Sequence, residues 1–365
     1  MKNRMRKLLS LALAAVVAVS MAACGVGGTA AAGGTAQADE NKEEAVETAA
    51  ESAADTEPAA DTKTEAAADE SVHYTVGICQ LVQHVALDAA TQGFKDAITA
   101  KLGEDAVTFD EQNAAGDSAQ CTTICAGFAS DGVDLMLANA TPALQAAASS
   151  TTEIPILGTS ITEYGVALSL DGFNGTVGGN ISGTSDLAPL EKQAKMIEEL
   201  FPEAKNVGIL YCSAEANSVY QADTVKAVLE GDGLKVTVYT FADSNDVASV
   251  TQSACDENDA LYIPTDNTAA SCTEAINNVA LPAGVPIVAG EEGIAKGCGV
   301  AALTIDYYEL GQTTGEMAVK ILTGEADIAT MPIEYYDNPV KVYNPVICEK
   351  LGIEIPEGYT AIAEE

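Results

Sequence analysis

At 365 residues the chain is long enough for a sizeable core, and once two unusual N-terminal segments are set aside its length suggests about two domains. Its 54 acidic residues against 17 basic ones give a formal charge of −37. A surface of that sign repels phosphate backbones and anionic headgroups, which excludes nucleic acid as an expected partner.

The chain opens on Lys2, Arg4, Arg6 and Lys7, followed by an apolar run from Leu8 to Ala23 broken only by Ser10 and Ser20. The run is short for a bilayer span and ends in small residues, the pattern of a secretory signal over residues 1–23. Met21-Ala22-Ala23-Cys24 resembles a bacterial lipobox, in which cleavage leaves Cys24 as the N-terminus with a diacylglycerol on its sulfur. On that expectation the protein is extracytoplasmic and lipid-anchored to the outer face of the cytoplasmic membrane. From Gly25 to Glu70 twelve acidic residues face only Lys42 and Lys63, and there is no aromatic residue. Such a composition buries too little apolar area to offset chain entropy, so residues 24–70 read as a disordered, self-repelling tether.

The folded body begins with Val72 to Ile98, which reads as strand, loop and helix, with Leu87, Ala90, Phe94 and Ile98 on one helical face. A strand over 105–110, a helix over 115–130 and a strand over 133–139 follow, and Thr141 as N-cap with Pro142 at the first helical position opens another helix. Residues 154–158 and 165–169 read as two more short strands. The Gly-, Asn- and Ser-rich stretch from Asp171 to Ser185 has no periodicity and reads as the first crossing between domains.

After it the alternation starts afresh. Helices are expected over 187–201, 219–230 and 247–255, with strands at 207–211, 235–241 and 260–263. A helix opened by Pro264 to Asn267, strands at 285–289 and 299–303, and a helix from Asp306 to about Leu322 complete the set. Strands alternating with helices imply right-handed crossovers, hence an α/β fold of mainly parallel sheets with helices on both faces. The short segments around Pro332, Pro339 and Pro345 are too little for a third domain and are returned to the two sheets, which makes three crossings. The expected lobes are residues 71–186 with 304–338, and residues 187–303 with 339–365.

The nine cysteines are scattered singly, and the eight besides Cys24 read as buried free thiols, with no disulfide assigned. The two histidines, His73 and His84, are not at ligand spacing from any cysteine pair, so no metal site and no cofactor are expected.

In open α/β sheets ligands collect beyond the carboxyl ends of the strands, where helix N-termini also offer free backbone N–H groups to an anion. This places candidate ligand contacts at Gln80, His84, Thr141, Ser160 and Thr162 in the first half. In the second half they fall at Glu215, Asn217, Ser218, Thr265, Asp266, Asn267, Glu291 and Asp306. Asn217, Ser218 and Thr265 are the donors expected for a carboxylate, and Glu215, Asp266 or Asp306 the partner expected for an ammonium. Plain helix capping is the competing role for these residue types. Tyr307 and Tyr308 read as packing on an apolar ligand or buttressing a hinge.

Several segments in order resemble the extracytoplasmic substrate-binding lipoproteins of ABC importers, of the tryptophan/tyrosine-binding type. They are Gly77-Ile-Cys-Gln80 with His84-Val-Ala-Leu-Asp88, Asn113-Ala-Ala-Gly-Asp117, Ala140-Thr-Pro142 and Asn180-Ile-Ser-Gly-Thr-Ser-Asp186. Glu215-Ala-Asn-Ser218, Pro264-Thr-Asp-Asn267 and Asp306-Tyr-Tyr-Glu-Leu-Gly311 continue the likeness, which covers nearly everything from Tyr74 to Pro356. It implies the class I periplasmic-binding-protein fold, two Rossmann-like lobes joined by a three-segment hinge with the ligand in the cleft.

The resemblance also implies a receptor that captures a small molecule, an aromatic or bulky apolar amino acid, and delivers it to a membrane permease with its ATPase. A sugar, a nucleoside or another carboxylate is the alternative ligand, a sensor module of the same fold the alternative role, and a monomer is expected. The chain departs from the family at Val85, where a proline is common, and at Thr162-Glu163-Tyr164, where a Thr-Asp-Pro run is expected, and the second departure bears on ligand identity. With no Gly-x-Ser-x-Gly elbow, His-Glu-x-x-His or Walker loop, the sequence argues against an enzyme.

Overall fold

The computed structural model describes residues 72–363; the expected signal segment, Cys24 and the expected acidic tether lie outside the described residues. The opening unit forms β1 (Tyr74–Gln80) and α1 (Val85–Leu102). β1 is buried after its first two residues, as a central parallel strand covered on both faces must be, and α1 buries Leu87, Ala90, Phe94 and Ile98. Next come β2 (Val107–Asn113), α2 (Ser118–Asp131), β3 (Leu135–Asn139), α3 (Thr141–Ser150), β4 (Ile156–Ile161), the single turn α4 (Tyr164–Ala167) and β5 (Ile181–Ser185).

The second series is α5 (Leu190–Leu200), β6 (Asn206–Cys212), α6 (Ala216–Gly231), β7 (Lys235–Phe241), α7 (Val247–Glu257) and β8 (Ala260–Ile263). It continues with α8 (Asn267–Ser271), α9 (Thr273–Ala283), β9 (Ile287–Ala289), α10 (Glu292–Gly297) and β10 (Ala301–Thr304). The chain closes with α11 (Tyr307–Leu322), β11 (Glu334–Tyr335), β12 (Val340–Tyr343), α12 (Pro345–Leu351) and β13 (Thr360–Ala361).

One sheet has the order β11-β5-β4-β3-β1-β2 and the other β13-β12-β10-β9-β8-β6-β7. The ladders between these strands are parallel except β10 with β12. Reading each sheet from its second strand, the first five strands are wound in the same order, so the two lobes repeat one doubly wound plan and both aim their strand carboxyl ends at a shared cleft. The chain passes between the sheets after β5, after β10, and between β11 and β12.

Each sheet is covered on both faces. Cys79, Phe128, Met136 and Leu144 pack on one face of the first, Ile78, Phe94, Leu137 and Met317 on the other. In the second, Leu210, Phe241 and Leu261 are separated in the same way from Ile209, Tyr262 and Val288.

α1 and α11 cross with their backbones in contact. A Cβ on Gly311 would stand 2.0 Å from the Ala90 carbonyl oxygen, and one on Gly93 would stand 2.1 Å from that of Tyr308. Glycine is required at both positions by this close approach, not by backbone angle. All eight cysteines among the described residues are unpaired, Cys272 half-buried and the others buried.

Four expectations are corrected. Residues 165–169 are not a strand: the Glu163 carboxylate accepts from the Val166 N–H and closes the turn of α4, while Tyr164 swings into the core. Its hydroxyl donates to the carbonyls of Gly158 (3.0 Å) and Thr184 (3.1 Å). The stretch 171–185 is not wholly a crossing, because Ile181–Ser185 is a buried strand of the first sheet and the crossing follows it. Its small residues answer a local need, since a Cβ on Gly183 would lie 2.1 Å from the Gly158 carbonyl oxygen.

α6 starts at Ala216, three residues before the expected point, which sets Asn217 and Ser218 in its first turn. Thr141 is the first helical residue of α3 and not its N-cap; Ala140, at φ +87°, holds that place without a side-chain bond.

Candidate functional site

On the first lobe the loop after β1 is fixed from within. Gln80 donates to the Val82 carbonyl (2.9 Å) and to Asp88 Oδ1 (2.7 Å) and accepts from the Thr91 hydroxyl (2.7 Å), so its amide is engaged in shaping the loop that carries His84. Thr141 is buried at the start of α3. β4 shifts register between Gly158 and Ile161, and Ser160 at the shift has φ +56° and a buried hydroxyl with no partner. A strained bulge at a strand end re-aims one side chain. Thr162 is buried just beyond, and its carbonyl accepts from the Ser185 hydroxyl (2.9 Å).

On the second lobe Glu215 is a hub. Its carboxylate accepts from Asn267 N (3.0 Å) and Nδ2 (2.7 Å) and from Thr268 N (2.9 Å) and Oγ1 (2.8 Å). Asn217 Nδ2 donates to the Thr265 carbonyl (2.9 Å), while Asn217 Oδ1 is buried without a partner. Ser218 is buried against Asp266. Asp266 accepts from Cys212 N (2.7 Å) and Ala269 N (2.7 Å), tying the end of β6 to α8. Thr265 is half-buried and its hydroxyl lies by the Gly290 carbonyl (3.4 Å).

Glu291 caps α10 through Gly293 N (2.6 Å) and Ile294 N (2.5 Å). Asp306 is exposed and caps α11 through Glu309 N (3.0 Å). Both Asp266 oxygens thus serve the lobe itself, and Asp306 faces solvent.

The lobes meet at His84, whose Nε2 lies 3.2 Å from Asn267 Oδ1. A second junction joins α11 to the hinge: the Tyr307 hydroxyl donates to Asp186 Oδ2 (3.0 Å) and neighbours Thr265. Two cavities open between the lobes. One of about 440 Å3 is lined by Leu81, Val82 and Pro142 facing Glu215, Asp243 and Thr268. The other, about 460 Å3, is lined by Val85, Ala86 and Tyr307 facing Glu291 and Lys296. His84 stands in the loop between Val82 and Val85, which line different cavities.

Sequence reasoning missed Asp186 as a site residue. It is 4 % exposed, follows β5 directly, and its Oδ1 has no partner. Burial pushes its carboxyl up to about 6, against the lowering pull of the Tyr307 and Thr162 hydroxyls. Burial likewise raises Glu291 to about 7, and burial with the Glu215 charge raises Asp266 to about 8. The signal for Asp186 was an acid placed immediately after a run of small residues; it was hidden while that run passed for a crossing.

The unpartnered buried atoms cluster here. Among the described residues, Asn277 Oδ1 and Tyr359 Oη lie elsewhere, whereas His84 Nδ1, Asn139 Oδ1, Ser160 Oγ, Asp186 Oδ1 and Asn217 Oδ1 all lie at or just beyond strand carboxyl ends. A native fold leaves few such groups, and five at strand carboxyl ends are what a polar ligand bound at those ends would pair. Four of the five are oxygen or imidazole acceptors, so that ligand must bring donors. The chain's two arginines are Arg4 and Arg6, so no guanidinium is available among the described residues to clamp a carboxylate.

The comparisons with known proteins fall on the same part of the chain. The sequence profile of the family described as ABC transporter substrate binding protein matches residues 75–365. The tyrosine-binding protein of Clostridioides difficile (strain R20291) is 33 % identical over 291 residues, covering 78 % of this chain and 83 % of that one. An ABC domain from Streptococcus pneumonia solved in complex with L-Trp is 32 % identical, with a TM-score of 0.75, covering 80 % of this chain and 100 % of its own. The ligand-free, open structure of a substrate-binding protein with adhesive properties from Clostridium difficile is 36 % identical, with a TM-score of 0.61 and the same coverage of 80 % and 100 %.

These proteins work outside the cytoplasm as solute receptors, and no helix among the described residues here is long and apolar enough to cross a membrane. Two doubly wound lobes, a cleft at their strand ends and a profile match over almost the whole described chain place this protein in the ABC transporter substrate-binding protein family.

Proposed function

We propose that the chain is the receptor of an amino-acid importer, closing one lobe of residues 71–186 and 304–338 against another of residues 187–303 and 339–365 on a zwitterion with an aromatic side chain. The observation that carries this reading is the pair of bare acceptors Asp186 Oδ1 and Asn217 Oδ1, one from each lobe. An ammonium supplies the donors they lack, and Asp186 rather than Asp266 or Asp306 supplies its charge. The ligand carboxylate then falls to neutral donors, the Ser160 hydroxyl and backbone amides. The relatives described as binding tyrosine and L-Trp support the aromatic preference. The higher TM-score to the L-Trp complex than to the open structure, despite its lower sequence identity, supports a closed arrangement, as does the His84 to Asn267 contact across the cleft. Closure is a hinge motion favoured only when a ligand bridges both lobes.

Calorimetry with tyrosine, tryptophan, phenylalanine and their deaminated analogues tests this reading. The amino acids are expected to bind at least tenfold more tightly than the analogues, about 1.4 kcal/mol. Equal affinity for an analogue without the amine removes the zwitterion.

The anchor is also part of the proposal. Cys24→Ala should shift the protein from the membrane fraction to the soluble one, or leave an uncleaved precursor. A variant processed and membrane-bound like its parent would rule out lipid at Cys24.

A further inference from the structure

The proposed zwitterion site accounts for Asp186 and Asn217 but leaves His84 Nδ1 without a role. That atom is buried and unpartnered in a residue whose other ring nitrogen spans the cleft. Which nitrogen carries the proton follows from the contacts behind it. Asn267 Nδ2 donates to the Glu215 carboxylate at 2.7 Å, and a carboxylate accepts only, so the amide cannot be turned around. Asn267 Oδ1 therefore faces His84 as an acceptor, and Nε2 must be the protonated nitrogen. In the neutral ring Nδ1 is then a lone-pair acceptor with nothing to accept. Burial holds the ring neutral by lowering its affinity for a proton, against the pull of Asn267, Glu215 and Asp88.

The backing is rigid. Glu215 takes four further bonds from Asn267, Thr268 and Asn217, and the His84 loop is held by Gln80 through Val82 and Asp88. The same chain of contacts continues from Glu215 through Asn217 and Thr265 to Tyr307 and Asp186. His84 thus closes one end of a ring of groups whose other end is the proposed ammonium partner.

We infer that His84 Nδ1 accepts a hydrogen bond from a donor on the ligand side chain, so that the receptor selects aromatic amino acids bearing a phenolic or indole donor over phenylalanine. This rests on the amino-acid reading above. A site built around a bare buried acceptor rejects an analogue lacking the donor, because the acceptor stays desolvated and unpaired.

The test is the ratio of affinities for tyrosine and tryptophan against phenylalanine, measured by calorimetry on the full-length protein and on His84→Leu. The parent should prefer the donor-bearing ligands tenfold or more, and His84→Leu should bring the ratio close to one. Loss of the interlobe contact alone would weaken all three ligands together and leave the ratio intact. Should His84→Leu fail to fold, 15N NMR of the parent suffices, since only His73 and His84 contribute imidazole signals. The His84 Nδ1 resonance should move on adding tyrosine or tryptophan and not with phenylalanine. Equal affinity of the parent for all three, an unchanged ratio in the variant, or the same Nδ1 response to every ligand overturns the inference and leaves the amino-acid reading standing. Failure to bind any amino acid overturns both.

Discussion

Asp186→Asn should lower affinity for the amino acid at least thirtyfold, about 2 kcal/mol, while leaving the ligand-free protein no less stable. The substitution keeps the shape and an oxygen to accept from Tyr307, and removes only the charge. In the ligand-free state that charge is a liability, since burial raises the carboxyl from 3.8 to about 6. An acid whose folded value is raised binds its proton more tightly when folded. Its contribution is therefore present below the unfolded value and is lost as pH rises through the folded one. For Asp186 the window runs from about 4 to about 6, and Glu291 at about 7 and Asp266 at about 8 extend it upward.

The melting temperature of the ligand-free protein should accordingly fall between pH 4 and pH 8, and Asp186→Asn should flatten the lower part of that fall. The Asp186 share is about 3 kcal/mol at most, from about 1.4 kcal/mol per pH unit. A variant that binds like the parent would transfer the ammonium to another carboxyl, and one that melts lower at pH 8 would mean that the charge is already paid back inside the fold.

Gly311→Val should lower the melting temperature by roughly 8 °C, from a destabilisation of about 3 kcal/mol. Overpacking is tolerated where a flexible side chain can move aside, but here the atom met is a main-chain oxygen of Ala90 at 2.0 Å, in the middle of α1. Relief requires moving one helix off the other, and the opposed Gly93 shows that the fit is reciprocal. The displacement would also reach the cleft, because α1 begins directly after His84 and α11 begins at Tyr307. Gly127 is the control: it lies in α2 with nothing within 4 Å of an added Cβ, so Gly127→Ala should be neutral or stabilising by about 0.5–1 kcal/mol. Circular-dichroism melts of the two variants decide it, and near-equal midpoints would contradict the backbone contact.

Much of the architecture was legible where local chemistry and final environment agree. β7 was read to the residue at 235–241 and β8 at 260–263, because short apolar runs between polar turns have few alternatives. The errors fall where tertiary contact overrides propensity. β5 is Ile-Ser-Gly-Thr-Ser, a poor strand former on its own, and is held in the sheet by partners on both sides. Residues 165–169 look like a strand until the cap from Glu163 and the anchoring of Tyr164 are known. The first of these errors also hid Asp186, while both carboxylate oxygens of Asp266, one of the three acids expected to meet an ammonium, accept from main-chain amides of its own lobe. Loop positions such as Gln80, Glu215 and Glu291 were identifiable from strand ends. Whether each faces the ligand or its own loop depends on side-chain direction, which spacing does not encode.

The buried acids of this cleft are answered by main-chain amides: Glu215 by those of Asn267 and Thr268, Asp266 by those of Cys212 and Ala269, Glu291 by those of Gly293 and Ile294. That share of their countercharge belongs to the path of the chain. Side-chain replacement leaves it in place unless proline deletes an N–H, and dissolved ions reach it poorly because it is buried. Asp186 differs from these three in keeping one carboxylate oxygen without a partner. On the proposed reading an arriving ammonium finds in Asp186 a carboxylate with one oxygen left open, beside acids whose oxygens the chain already engages.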